Sequence, residues 1–225
     1  MDCRVAQPKA VAPQRVAVIV AHPDDAELAA GGTIGSFVNS GHEVTIVHAT
    51  VSEFNPKLRG LRIEAAQRAA EILGARVCWL ENQRLNQVEE IPQYRLVGII
   101  DAFLREYKPH AVFTHWEHDS HFDHVMIARA VNSSLRRHAT NLYAMTPNEF
   151  RAPAYQNFAP SVVVDISDYV SRKIEALRCY SYEGQGFREL DIDSYRALDA
   201  ARGVRFGYSS AEGFMVVRHH GVPGL

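Results

Sequence analysis

Short, almost wholly apolar runs alternate along this chain with longer stretches in which apolar residues recur at helical spacing. Val16–Val20 is the first compact run and predicts a central strand; Leu28–Asn39 then predicts a helix closing at Ser40–Gly41. Val44–Ala49 predicts the next strand, Leu58–Leu73 a helix stopped by Gly74, and Val77–Leu80 a third strand. Ile91–Tyr107 reads as a helix ending before Lys108–Pro109, Ala111–Thr114 as a buried strand and Phe122–His138 as a further helix. Beyond Thr140 the periodicity weakens. Ser161–Ile166 predicts a strand running into a helix over Asp168–Cys179, and Phe214–Val217 a last strand. The Pro and Gly residues around 146–160 predict a long surface loop, a place where binding functions concentrate. Apolar strands alternating with amphipathic helices predict an α/β fold, a mostly parallel sheet covered on both faces.

With 225 residues the chain can bury one substantial core. Residues 1–14 read as a loose tail with Pro8 and Pro13, and residues 15–225 as a single domain. A hydrophobic content of 47%, a charged content of 22% and a net charge of -2 fit a soluble globular protein. Basic residues are scattered, so nothing offers a footprint for nucleic acid or an anionic membrane surface. Three widely spaced cysteines, Cys3, Cys78 and Cys179, argue against a disulfide framework and for a reducing cytoplasm. No window approaches the roughly 20 apolar residues of a membrane span, and the N-terminus lacks the apolar core of a signal peptide.

Chemistry-bearing residues fall into two clusters. Ala21-His22-Pro23-Asp24-Asp25-Ala26-Glu27 directly follows the first strand, at the edge where open α/β sheets form their ligand crevice. One imidazole and two carboxylates in a single turn suit a borderline cation such as Zn²⁺. Adjacent Asp residues cannot easily aim at one atom, so a division of labour follows: one binds metal, the other serves as general base. Gly31-Gly32-Thr33 allows close backbone approach but carries little beyond packing. The second cluster, Thr114 to His124, follows another predicted strand and opens on the same sheet edge. His121 and His124 are three apart, so on a helix they share a face, and a metal could take either. Each cluster alone could be a helix cap or surface histidines. Both together, at the mouths of two parallel strands, point to a metal-assisted site. His42, His48, His138, His219 and His220 show no partnering pattern and read as surface or locally bonded groups; Cys78 reads as a core thiol.

The first motif, Gly31-Gly32-Thr33 and the downstream His121-Phe122-Asp123-His124 together resemble the PIG-L or LmbE-like deacetylase family. The resemblance extends through Arg62, Glu64 and Leu73-Gly74, the Asp165-Ile166-Ser167 to Lys173 stretch, and Ala211-Glu212-Gly213-Phe214. It implies a Rossmann-like three-layer fold with the metal at the carboxyl edge of the strands. It also implies zinc-activated hydrolysis of an N-acetyl group on an N-acetylglucosamine-like amino sugar within a small conjugate. By the same resemblance His22, Asp25 and His124 hold the zinc and Asp24 is the base. His121 then stabilises the oxyanion or protonates the leaving amine, Asp123 orients a catalytic imidazole, Arg62 contacts substrate, and the protein assembles as a homo-oligomer. Two departures stand out: Phe122 where Pro is common, and Cys179-Tyr180-Ser181-Tyr182 where His or Tyr is usually followed closely by Ser-Gln, with Gln185 as a displaced counterpart.

Rival readings share much of this chemistry. The same set could hydrolyse another amide or an ester, or bind metal without turnover, and Fe²⁺ suits a two-nitrogen, one-carboxylate site as well as Zn²⁺. A nucleotide-binding module is disfavoured because no Gly-x-Gly-x-x-Gly follows the first strand. The sequence does not choose the acylated substrate, nor which residues of 146–160 and 179–195 shape the pocket.

Overall fold

The computed structural model describes residues 12–147, 157–181 and 191–220. Most of the expected N-terminal tail, the middle of the expected 146–160 loop, Tyr182 and Gln185 lie outside the described residues. Strand β1 (Arg15–Val20) leads into α1 (Asp25–Asn39), β2 (Glu43–His48), α2 (Pro56–Leu73) and β3 (Arg76–Trp79). After two short 3₁₀ turns come α3 (Gln93–Tyr107), β4 (Ala111–Thr114), α4 (Phe122–Ser134) and β5 (Asn141–Met145). The chain then adds β6 (Val162–Asp165), α5 (Val170–Arg178), α6 (Ile192–Val204) and β7 (Ala211–Arg218).

The strands form one seven-stranded sheet in the order β3-β2-β1-β4-β5-β7-β6. The first five are parallel, and β7 runs antiparallel to both β5 and β6. Period-2 alternation assigns β1 to two cores: Val16, Val18 and Val20 face α1, α2 and α5, while Ala17 and Ile19 face α3 and α4. Both faces are buried, which is why the strands are apolar throughout. The chain moves outward from β1 to β2 and β3, then returns to place β4 on the other flank of β1. That reversal leaves a crevice at the carboxyl ends of β1 and β4.

Local signals set the helix ends. Asn55 caps α2 by accepting the Lys57 N–H at 3.0 Å, Pro56 fills the first helical position, and Gly74 ends the helix at φ 77°. Helix α1 begins at Asp25, inside the first motif and three residues before its apolar period, so the motif is part turn and part helix. α4 stops at Ser134 and tightens into a 3₁₀ turn over Leu135–Arg137 instead of running to His138. Two elements, β5 and α6, have no counterpart in the sequence reading, and β7 starts three residues before the expected strand. No helix among the described residues is long and apolar enough to cross a membrane.

The Gly31–Gly32 pair is a packing device. A Cβ on Gly32 would lie 2.6 Å from Ile166, and one on Gly31 2.9 Å from Lys173. The close approach seats a buried ionic cluster. Lys173 Nζ donates to Asp199 at 2.6 Å and to Glu212 at 2.8 Å, and the Glu212 carboxylate accepts the Gly32 and Thr33 N–H groups at 3.0 and 2.8 Å. Arg202, 3.5 Å from Asp199, brings the cluster to two cations and two carboxylates. The cluster ties α1, α5, α6 and β7 together without leaving a buried charge unpaired.

Removing one member strands its partners. Lys173→Met should cost about 3–5 kcal/mol of stability in urea unfolding, because two carboxylates stay buried; a loss below about 1 kcal/mol would reduce the cluster to the worth of a surface pair. His48, read from sequence as a surface or locally bonded group, is hydrogen-bonded but fully buried at the end of β2, donating from Nδ1 to the His22 carbonyl at 3.3 Å. Burial pushes its pKa down to about 4. The unfolded chain takes up a proton near pH 6.5 and the folded chain does not, so this contribution to stability is intact above that pH and lost as pH falls toward 4. His48→Gln should flatten the acid loss by up to about 1.4 kcal/mol per pH unit across that window, read from urea midpoints; an unchanged slope would refute the assignment.

Candidate metal centre

The turn between β1 and α1 sets the first half of the site. Asp24 adopts φ 97° and ψ -27°, a conformation costly for a residue with a Cβ and characteristic of functional turns. It stands at the start of α1, yet its side chain does not cap the helix, so the ordinary structural explanation for an acid there fails. Arg62, buried on α2, donates from Nη2 to the Pro23 carbonyl at 3.0 Å and from Nη1 to the Ser52 carbonyl at 3.4 Å. The same Nη2 lies 3.9 Å from Asp24 Oδ2. Asp25 folds back, its Oδ2 accepting the His22 N–H at 2.8 Å.

The second half descends from β4 through a loop into α4. His22 Nδ1 lies 3.4 Å from Asp25 Oδ2 and 3.4 Å from His124 Nε2, and His124 Nε2 lies 3.5 Å from Asp25 Oδ1. Donors about 2.0–2.1 Å from a tetrahedral ion stand about 3.3–3.4 Å apart, a spacing that the two nitrogens meet with one another and that each meets with one oxygen of Asp25. Two other groupings bring donors within 4.8 Å: His22, His121 and His124, and Asp25, His115 and His124. In the latter, His115 Nε2 already accepts the Ala21 N–H at 2.9 Å. A backbone N–H can only donate, so that lone pair is committed and His115 is held as the Nδ1–H tautomer. Its ring stacks on His124 at 3.8 Å and 10°. His121, which is exposed, also stacks on His124, at 4.4 Å and 14°.

The His22 and His124 imidazoles each have a carboxylate on the far nitrogen. Asp123 meets His22 Nε2 at 3.0 Å and also accepts the Val88 N–H at 3.2 Å. Asp119 meets His124 Nδ1 at 2.8 Å and accepts the His121 N–H at 3.0 Å. Such partners fix ring orientation and raise donor strength. Electrostatics follow from the crowding. Burial works to raise the Asp25 carboxyl, but the imidazoles of His124, His115 and His22 outweigh it and hold it well below the usual carboxylate range. Burial likewise opposes charge on His124, yet Asp25 and Asp119 push it up to about 10. Burial and then the His124 and His22 imidazoles push His121 down.

All six residues expected at the centre, His22, Asp24, Asp25, His121, Asp123 and His124, lie together at the β1–β4 crevice, with Arg62 behind the turn. Sequence reasoning gave no role to Asp119 or His115, although both lie in the second cluster, because a five-residue interval across a turn signals no contact. It also passed over Glu27, fully buried, with the Tyr180 hydroxyl donating to Oε1 at 3.0 Å and burial pushing its carboxyl up to about 7. Tyr180 belongs to the stretch where the chain departs from the family pattern.

Over 207 residues the chain is 25% identical to a Bacillus cereus protein named probable N-acetyl-alpha-D-glucosaminyl L-malate deacetylase 2, covering 84% of this chain and 92% of that protein. The structure of N,N'-diacetylchitobiose deacetylase from Pyrococcus horikoshii superposes with a TM-score of 0.70 at 21% identity, over 92% of this chain and 84% of that one. GalB from Pseudomonas putida, a 4-carboxy-2-hydroxymuconate hydratase, superposes with a TM-score of 0.75 at 20% identity, over 94% and 99%. A hydratase beside a deacetylase means that this fold alone does not select a reaction. Residues 17–135 match the PIG-L family, described as GlcNAc-PI de-N-acetylase. That match spans more than half of the 225 residues, and the chain belongs to the PIG-L family.

Proposed function

We propose that this chain is a metal-dependent hydrolase that removes the N-acetyl group from an amino sugar carried on a small conjugate, with residues 15–225 acting as one domain. The observation that carries the reading is His22 Nδ1 and His124 Nε2 at 3.4 Å from one another, with one Asp25 oxygen 3.4 Å from the first and the other 3.5 Å from the second, beside an Asp24 that does not cap its helix. The family match and the names of the relatives support the acetylated amino sugar as substrate class. Zn²⁺ suits the donor set, and Fe²⁺ suits the same two nitrogens and one carboxylate.

A bound ion of this kind lowers the pKa of water and polarises an amide carbonyl. Asp24 is the group set to take a proton from an attacking water, because it adjoins Asp25 and its side chain is not spent on capping the helix. Arg62 holds that turn through the Pro23 carbonyl and places positive charge behind the base; in this reading its effect on substrate runs through Asp24. His121, at the rim, donates a ring N–H to the developing oxyanion or passes a proton to the leaving amine. Asp123 and Asp119 keep the His22 and His124 rings from rotating off their donors.

The test is acetate release from a panel of N-acetylglucosamine derivatives by metal-loaded, chelated and Asp24→Ala protein. Metal-dependent release should fall about 10²–10⁴-fold in Asp24→Ala with metal content unchanged, whereas His124→Ala should lose the metal. Full activity of Asp24→Ala, or a metal-loaded protein inert on every derivative, would overturn the reading. Asp119→Asn should weaken metal affinity by about 10–100-fold, measured by competition with a chromogenic chelator; unchanged affinity would remove Asp119 from the site.

A further inference from the structure

At the opposite edge of the sheet, where β1, β4 and β5 begin, a cleft of about 470 Å³ is lined by Arg15, Arg105, Lys108, His110, His138 and Thr140, with Leu104, Pro109 and Ala139 between them. Its lining contains three permanent cations, two imidazoles and a hydroxyl, and no carboxylate. Glu43, which pairs in register with Arg15 from β2, lies 3.7 Å from Arg76 and outside the lining.

Hydrogen bonding makes the cleft a surface of donors. His110 Nδ1 accepts the Arg15 N–H at 3.1 Å, so the proton of the ring sits on its remaining nitrogen. Arg15 donates from Nε and Nη2 to the Lys108 carbonyl at 3.3 and 3.2 Å, which anchors the guanidinium and takes up an oxygen that would repel an anion. Thr140 Oγ1 donates to the Pro109 carbonyl at 3.0 Å, taking up another. The plain alternative is a solvated face in which Arg105 and Lys108 complement the carboxyl end of α3. That accounts for two residues on one helix. It leaves unexplained why Arg15, His110 and His138 come from three other segments to the same cleft.

We propose that this cleft binds a phosphate-bearing small molecule, at a site separated from the metal centre by the length of the sheet. Its volume lies within the range of about 300–1,000 Å³ typical of small-ligand sites and exceeds what a lone inorganic ion needs. A phosphoryl group supplies three acceptor oxygens and no donor, the complement of this lining.

Calorimetric titration of the full, metal-loaded chain at low salt tests it, with pyrophosphate, glucose 6-phosphate and glucose as probes. Both phosphorylated probes should bind and glucose should not, and binding should weaken as salt is raised. In the double variant Arg105→Glu, Lys108→Glu, two exposed positions, affinity should fall by about tenfold or more, with the thermal midpoint and acetate release unchanged. Equal binding of glucose, no binding of either phosphate, or affinity untouched by the double variant would overturn the proposal. So would a short oligonucleotide that displaces both phosphates with a steeper salt dependence, which would make the cleft a nucleic-acid surface.

Discussion

The carboxylate of Asp25 is the point on which the centre is built. One oxygen closes the turn by accepting the His22 N–H and lies against the His22 and His115 rings; the other faces His124. A buried carboxylate is tolerable only where charge and hydrogen bonds compensate its lost hydration. Much of the compensation comes from His124, about 100 residues away, so the chain must bring β1 and β4 side by side before this group can be buried at all. The reversal of strand order does that, and the same reversal opens the crevice in which a substrate could reach these groups.

A second buried cluster keeps the first in register. α1 carries Asp25 at its start and Gly32 and Thr33 near its middle, and the Glu212 carboxylate grips those two N–H groups while Lys173 and Asp199 grip Glu212. Segments from the last quarter of the chain thereby fix the rotation of a helix whose first residue lines the candidate metal centre. The family resemblance had touched Lys173 and Glu212 as separate stretches; their function as one device is visible only when both meet the Gly31–Gly32 surface.

The deacetylase reading and the geometry support one another at different levels. Family membership narrows the reaction, whereas the fold shared with a hydratase leaves it open. What the geometry adds is a difference between adjacent acids: Asp25 lies against three imidazoles, whereas Asp24, at a strained φ of 97°, does not cap the helix and has Arg62 at 3.9 Å.

Much of this was legible in the residues. Apolar runs buried on both faces announced a parallel sheet, glycine and proline marked the ends of α2, and the two clusters each followed a strand, so their meeting at one edge could be anticipated. Local rules reached no further. Strand β5 was missed because Asn141–Met145 is short and mixed, and its strand character comes from pairing between β4 and β7; α6 was missed because its apolar face is defined by β7 and α5. The roles of Asp119 and His115, the burial of His48 and the partnership of Glu27 with Tyr180 likewise depend on contacts across the fold. Sequence by itself determined most of the elements before Thr140 and which residue types gather at which edge, since propensity, capping and period act over a few residues. Only the tertiary structure decided which nitrogen faces which carboxylate, because that choice is made between groups brought together from distant parts of the chain.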